Sequence, residues 1–430
     1  MKSITRPLPA GQQGAATLII VMVLFLVMAL LAAYANRSLL FEQRMASSYY
    51  RASLSQEAAE AGVEWTLAQL NGNAVDSACK PVTSGGQRFA DKYLMVSAAD
   101  RSISSISTES RGIIDCARDV ASDGWACRCP ASNAVHTTQP GTNATGFTPS
   151  FGVAFGHSSR GGTVPLQVTG CTDAVVDRCN TGMTTWASIS NNQLARIVLT
   201  VQLGLVSAVR NPPASALTVG GNLQSAGANL GLHNSDARTS GLLATLGGTW
   251  PDKASSRLES VPGTAPSQVV LENDATLNGA TAEDVFKMFM GASVSRYKSH
   301  PAARPVTCDG DCTSDIDTAY KAGHRMLWIE GDMTLSSNMT LGSLADPVLI
   351  IANGNVTLSG PMQINGMLVA KGTLNWSNAG AMSSLVNGMV LVGGDMTASG
   401  TMDVVYQQSV ADLLRNHMGS YVRIPGGWSD

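Results

Sequence analysis

The chain has 430 residues, a net charge of -3 and only 14% charged side chains. That length allows two or three domains with cores of their own, and the charge balance provides no basic surface for nucleic acid. Few aromatics and abundant Gly, Ser, Thr, Ala and Asn point to short strands joined by tight turns, not to a helical enzyme.

The first element is a helix. Lys2 and Arg6 precede an apolar run, Ala15 to Ala35, that contains no charge, proline or glycine. About 21 helical residues span a hydrocarbon core of roughly 30 Å, and basic residues ahead of the run leave the N-terminus cytoplasmic. Ala33-Tyr34-Ala35 also fits a signal-peptidase site, so a discarded secretory signal and a plain anchor are the competing readings. Helix character continues past Ala35, however. No Pro or Gly occurs before Gly62, Leu40, Met45, Ala52, Ala59, Val63 and Leu67 supply apolar positions, and Asn71-Gly72 is a C-terminal stop. One helix from Ala15 to about Leu70 is roughly 80 Å long at 1.5 Å per residue. Half would lie in lipid and half would pack on a globular domain. A discarded signal gives no reason for that continuity.

From Asn73 to about Pro213 the pattern is irregular, with strand character in "VSAADRSISSISTESRGII" and in "ARIVLTVQLGLVSAV". Six of the eight cysteines, Cys79, Cys116, Cys127, Cys129, Cys171 and Cys179, fall here, and Cys308 and Cys312 follow later. An even count near Gly, Asp and Pro reads as disulfides in an oxidising compartment. Cys127-Arg-Cys129 and Cys308 to Cys312 lack the spacing of a tetrahedral zinc set. Cys171–Cys179 and Cys308–Cys312 are the expected local pairs. The pairing of Cys79, Cys116, Cys127 and Cys129 stays open.

A repeat follows. The apolar runs "MLWI" at 326, "VLII" at 348, "MLVA" at 367 and "MVLV" at 389 each precede a strand opening on glycine: "GDMTL", "GNVTL", "GTLNW" and "GDMTA". A period near 21 residues, with strands and turns but no room for a helix, suits the stacked coils of a β-helix or related solenoid. An irregular β-sandwich is the alternative. "LTVGGNLQSAG", Leu217 to Gly227, is one further coil. Residues 233–325 read as an insertion carrying a helix with Thr281 as N-cap, Asp284 at its third position and a Gly291 stop. A terminal helix, Ser409 to about Met418, is expected to cap the stack.

Catalytic patterns are lacking: the six histidines are scattered, with no HExxH, G-x-S-x-G or P-loop, so no enzyme is expected. "CDGDCTSDID" places Asp309, Asp311, Asp315 and Asp317 on a stapled loop, and hard oxygen ligands there suit calcium. The EF-hand spacing is absent, and any turn uses the same residues. No other cofactor is implied.

The leader ending at Gly14, the small residue Ala15, "ATLIIVMVLFLVMALLAAYA" and "RSLLFEQRMASSYYRASLSQEAAEAGVEW" together resemble the N-terminal region of PilX-type minor pilins, a type IV prepilin class. The resemblance covers roughly residues 10–70. It implies that a prepilin peptidase cuts between Gly14 and Ala15 and N-methylates Ala15. Most pilins carry a glutamate at the fifth residue after the cut, which neutralises a neighbouring subunit's terminal amine; here that position is Ile19. Such a subunit cannot satisfy a neighbour distal to it, which implies a tip or priming position. Glu42 and Arg44 are candidates for charge pairing between subunits. The implied partners are other minor and major pilins, the peptidase, the inner membrane and a tip adhesin, but no nucleic acid. The implied location is the inner membrane with a periplasmic domain, then the surface pilus. A membrane-anchored extracytoplasmic β-helix binding protein and a type II secretion pseudopilin are the rival readings.

The expected fold class is thus α+β. Residues 1–14 form a leader and 15–71 a pilin helix that crosses the membrane over about 15–35. A disulfide-stapled α/β pilin-like domain covers 72–213. A mainly-β, solenoid-like domain covers 214–430, with its insertion at about 233–325 and its capping helix.

Overall fold

The computed structural model describes residues 13–106, 114–119, 124–129, 148–173, 194–225, 227–336 and 338–429. A single helix, Gln13–Asn71, opens the chain. Its C-terminal half packs on a six-stranded antiparallel sheet. In spatial order the strands are Gly419–Ser429, Arg196–Ser207, Thr163–Cys171, Ser150–Phe155, Ile114–Asp119 and Gly124–Arg128. Arg196–Ser207 and Thr163–Cys171 pair with Leu166 opposite Val201 and Val168 opposite Leu199, and all four side chains are buried. Alternation sends this apolar set to the face the helix covers. Trp65 on the helix, Phe89 and Phe151 meet at ring distances of 5.6 and 5.7 Å and fill the space between helix and sheet.

Sixteen further strands form one large, curled, parallel sheet. Its pairings fall into three ladders. The first runs through Met326–Ile329, Val348–Ala352, the second half of Met362–Ala370, the second half of Ser384–Val392, Leu217–Val219 and Ala244–Leu246. The second runs through Met333–Leu335, Val356–Ser359, Leu374–Asn378, the start of Met396–Val405 and Leu223–Gln224. The third runs through Met339–Leu341, the first halves of Met362–Ala370 and Ser384–Val392, the end of Met396–Val405, Asn229–His233 and Arg257–Glu259. Parallel strands buried on both faces carry continuous apolar runs, as the four segments noted above do. Where one strand passes from the third ladder to the first the chain must turn sharply, and Gly366 and Gly388 do so at φ of +154° and +143°. A Cβ at Gly366 would lie 1.8 Å from the Val348 carbonyl oxygen, so no other residue fits that corner.

Side-chain oxygens extend the ladders through the turns. Asp332 accepts from the Asn355 amide at 2.7 Å, and Asn355 accepts from the Thr373 amide at 2.9 Å. The same step recurs where Asp395 accepts from the Asn222 amide at 2.7 Å and Asn222 from the Thr249 amide at 3.0 Å. Each acid or amide follows a glycine, so the repeated Gly-Asp and Gly-Asn pairs satisfy backbone donors of the next turn.

Three boundaries differ from the sequence expectation. The insertion at 233–325 is shorter, because Ala244–Leu246, Arg257–Glu259 and Val270–Leu271 belong to the ladders. Its helical part is Ala282–Met290, Val294–Tyr297 and Thr313–Lys321; the first has the expected Thr281–Asp284 capping box and left-handed Gly291 stop. The terminal helix, Gln408–Asp412, continues as a wider turn over Leu413–His417. Val410 on it lies over Gly388, midway along the stack and not at an end. Finally, Gly419–Ser429 leaves the parallel sheet altogether. It pairs antiparallel with Arg196–Ser207, so residues 208–418 are inserted between the last two strands of the antiparallel sheet.

Candidate assembly helix

The helix Gln13–Asn71 has two unlike halves. From Leu18 to Tyr50 its large apolar side chains are exposed, Ile19 at 62%. Among the described residues this is the one helix long and apolar enough to cross a membrane. Beyond Arg51 an apolar stripe at helical spacing, Ala59, Val63, Thr66 and Leu70, is buried. Thr66 avoids an unpaired hydroxyl by donating to the Gly62 carbonyl at 2.7 Å. Helix and sheet approach closely because Gly170 faces the helix: a Cβ there would lie 2.0 Å from the Ser55 carbonyl oxygen and 2.7 Å from the Ala59 nitrogen.

The end of the helix is fixed by the last strand. Asn71 donates through Nδ2 to the Leu67 carbonyl at 2.8 Å and to the Tyr421 carbonyl at 2.9 Å, and accepts from the Tyr421 amide at 2.9 Å. Glu64 pairs with Arg423 of the same strand. The membrane-length helix is thereby joined rigidly to the body that it would carry.

The processing candidates Gly14 and Ala15 lie in the first turn of this helix, and residues 1–12 of the expected leader are outside the described residues. Ile19, Glu42 and Arg44 all lie on the exposed half. The disulfide expectations resolve as Cys79–Cys129, Cys116–Cys127 and Cys308–Cys312. Cys171 is also disulfide-bonded, while Cys179, its expected partner, is outside the described residues.

Two of the calcium candidates are engaged by other groups. Asp311 accepts from the Thr313 amide at 3.0 Å, from the Thr313 hydroxyl at 2.6 Å and from the Ser336 hydroxyl, and Asp317 pairs with Lys321 at 2.6 Å. Asp309 and Asp315 do not complete a donor set with them. Among the described residues no three His, Cys, Asp or Glu side chains are placed to hold a metal ion. Asp311 closes a turn ahead of the helix Thr313–Lys321, and Asp317 is paired along that helix.

Sequence reasoning missed one charged cluster. Asp403 accepts from His233 Nε2 at 3.0 Å, Arg257 at 2.7 Å and Ser383 at 2.8 Å, and His233 Nδ1 lies 2.9 Å from Glu259. Asp403, His233 and the pair Arg257 and Glu259 come from three neighbouring strands of the third ladder, and Ser383 immediately precedes a fourth. A Cβ at Gly231 would lie 2.0 Å from the Asp403 oxygen, so glycine leaves the space in which the charges meet. Their groups are turned on one another, and they join the strand ending at Val405 to strands about 170 residues earlier. Only the partial regularity of "LTVGGNLQSAG" hinted that these segments stack.

The projecting apolar helix, long and apolar enough to cross a membrane and wrapped at its base by an antiparallel sheet, is the part of the chain that resembles a known family. More specifically, the family model described as PilX N-terminal matches residues 13–64, and this part of the chain is a PilX-type pilin N-terminal region. No curated protein and no solved structure matches the chain.

Proposed function

We propose that the protein is a minor pilin of a type IV pilus, retained in the inner membrane by Gln13–Asn71 and then assembled into the filament through the same helix. The observation that carries this reading is the division of that helix. Its exposed apolar half needs a covering that the chain does not supply, first lipid and then neighbouring pilin helices. The PilX-type match over residues 13–64 supports the same assignment. On this reading a prepilin peptidase cuts between Gly14 and Ala15 and methylates Ala15, and Glu42 and Arg44 pair with adjacent subunits.

Two features favour the tip or a priming complex over the shaft. Ile19 cannot neutralise the terminal amine of a subunit placed distally to it. Residues 208–418, about half of the 430, form a head that would crowd neighbours at every level of a shaft but has free space at its end. We read the three ladders as the sides of a β-helix that serves as a binding platform without catalysis, displayed at the cell surface or docking a tip adhesin.

The test is the N-terminus of the mature protein together with pilus counts in a deletion strain. N-methylated Ala15 and reduced surface pili are the expected results. A chain beginning at Asn36 would mean a discarded signal, and one beginning at Met1 a simple tether; either would end the proposal.

A further inference from the structure

A cleft of about 680 Å³ opens between the antiparallel sheet and the helical insertion. That is the size of a small-molecule site. Its lining brings together Arg101, Arg210, Arg296 and His300 with apolar side chains including Leu205 and Met290, and contains no carboxylate. The three arginines come from three separate parts of the chain, so no sequence pattern announces the group. The arginines are given room. The stem of Arg210 lies over Gly291, where a Cβ would meet its Cδ at 2.4 Å, and the guanidinium of Arg101 lies against Gly162, where a Cβ would meet it at 3.1 Å.

Two buried nitrogens in the cleft have no hydrogen-bond partner among the described residues. Arg101 gives one nitrogen to the Leu205 carbonyl at 2.6 Å, but its buried Nε has no partner. The residue is also held at a φ of +62°, a conformation uncommon outside glycine and concentrated at functional sites. His300 stacks on Tyr297 at 5.3 Å, and its buried Nε2 has no partner either. Ser420 Oγ accepts from the Ala302 amide at 2.7 Å and contacts His300 Nδ1; in the tautomer where the serine hydroxyl donates to that nitrogen, the imidazole proton is on Nε2. Burial lowers the His300 pKa to about 4, so at neutral pH the ring is uncharged, and in that tautomer Nε2 is a donor. Burial and the nearby Arg415 both lower the Arg101 pKa, as expected where cations gather without a counter-charge.

We propose that this cleft binds a small phosphate-bearing ligand, with the phosphoryl oxygens taken by the guanidinium groups and by His300 Nε2–H, and the uncharged body against Leu205 and Met290. Three cations without a carboxylate favour a dianion over a single carboxylate, and arginine forks match phosphate oxygens two at a time. The inference stands apart from the filament reading, since the cleft is formed whether or not the helix assembles.

The experiment is calorimetric titration of the full chain in neutral detergent. The probes are inorganic phosphate, glucose 1-phosphate, glycerol 3-phosphate, glucuronate and glucose. Saturable binding of the phosphate compounds is expected, with glucose silent and glucuronate weaker. The tighter of glucose 1-phosphate and glycerol 3-phosphate distinguishes a saccharide from a lipid-headgroup source. Arg210 and Arg296 are exposed, so the double variant Arg210→Gln/Arg296→Gln should fold and lose affinity by about tenfold or more. Arg238→Gln, outside the cleft, should change nothing. Absence of saturable phosphate binding, tighter binding of glucuronate, or an unchanged affinity in the double variant would overturn the proposal.

Discussion

Asn71, the last residue of the long helix, brackets the backbone of Tyr421, accepting from its amide and donating to its carbonyl, both at 2.9 Å. Tyr421 lies on the edge strand of the antiparallel sheet, where an outward-facing N–H and C=O would otherwise be open to other chains. One side chain therefore caps the helix, closes the sheet edge and ties the two ends of the chain. Asn71→Ala should lower stability by about 1–3 kcal/mol, the cost of leaving part-buried backbone groups unpaired. Asn71→Asp keeps the acceptor and loses the donor, and should fall between. Thermal unfolding of the three proteins in detergent checks the order.

Mild acid should weaken the junction between the two β units. His324 is buried and bonds through Nε2 to Asn73 Oδ1 at 2.8 Å. Burial first, then the charges of Arg304 and Arg325, lower its pKa to about 4. The folded state holds this ring neutral, whereas the unfolded chain takes up a proton below its ordinary pKa of about 6.5. Stability is therefore full above that pH and is lost as pH falls towards 4, by at most about 3 kcal/mol. His324→Gln should flatten the unfolding midpoint between pH 6.5 and 4. An equally steep profile in the variant would show that the histidine is not responsible.

The seam where Asp403 meets His233 and Arg257 invites a second pair of changes. Burial alone would raise the Asp403 pKa, but hydrogen bonds from His233 and Ser383 and the charge of Arg257 bring it below the usual carboxylate value. A depressed carboxylate contributes stability above its unfolded pKa that is lost as pH falls through the folded one. Gly231→Ala places a methyl group on the Asp403 oxygen and should cost about 1–3 kcal/mol. Asp403→Asn should cost less near neutral pH and should leave stability less sensitive to pH below 4. Urea unfolding at several pH values separates the two effects.

The repeats were legible because a strand buried on both faces must be apolar throughout, and "VLII" and "MVLV" say so within a few residues. The helix was legible for the same local reason. What the sequence concealed was pairing at a distance. Leu217–Val219 stacks on Val390–Val392, so the first coil in sequence is placed against the last, and no local periodicity records that. Ala244–Leu246 and Arg257–Glu259 looked like an insertion because they are short and irregularly spaced. "YVRIPGGWS" carries Pro and paired Gly, which disfavour a central strand. At a sheet edge they are tolerated, and the register shifts between Arg423 and Trp428. The arginine cleft was hidden most completely, since its cations come from three separate segments.

The three described disulfides should differ in worth according to the loops they close. Cys79–Cys129 spans 50 residues, Cys116–Cys127 spans 11 and Cys308–Cys312 spans 4. Closing a longer loop removes more entropy from the unfolded chain, giving about 4, 3 and 2 kcal/mol in that order on the chain-entropy relation. Cys79–Cys129 also ties the segment after the helix to the end of the Gly124–Arg128 strand, and both sulfur-bearing residues are buried. Replacing each pair by serine and measuring urea midpoints in detergent should therefore rank Cys79/Cys129 as the most damaging change and Cys308/Cys312 as the least. If the short loop near the parallel sheet proved the most sensitive, local packing around Cys312, which is fully buried, would outweigh loop closure as the source of its stabilisation.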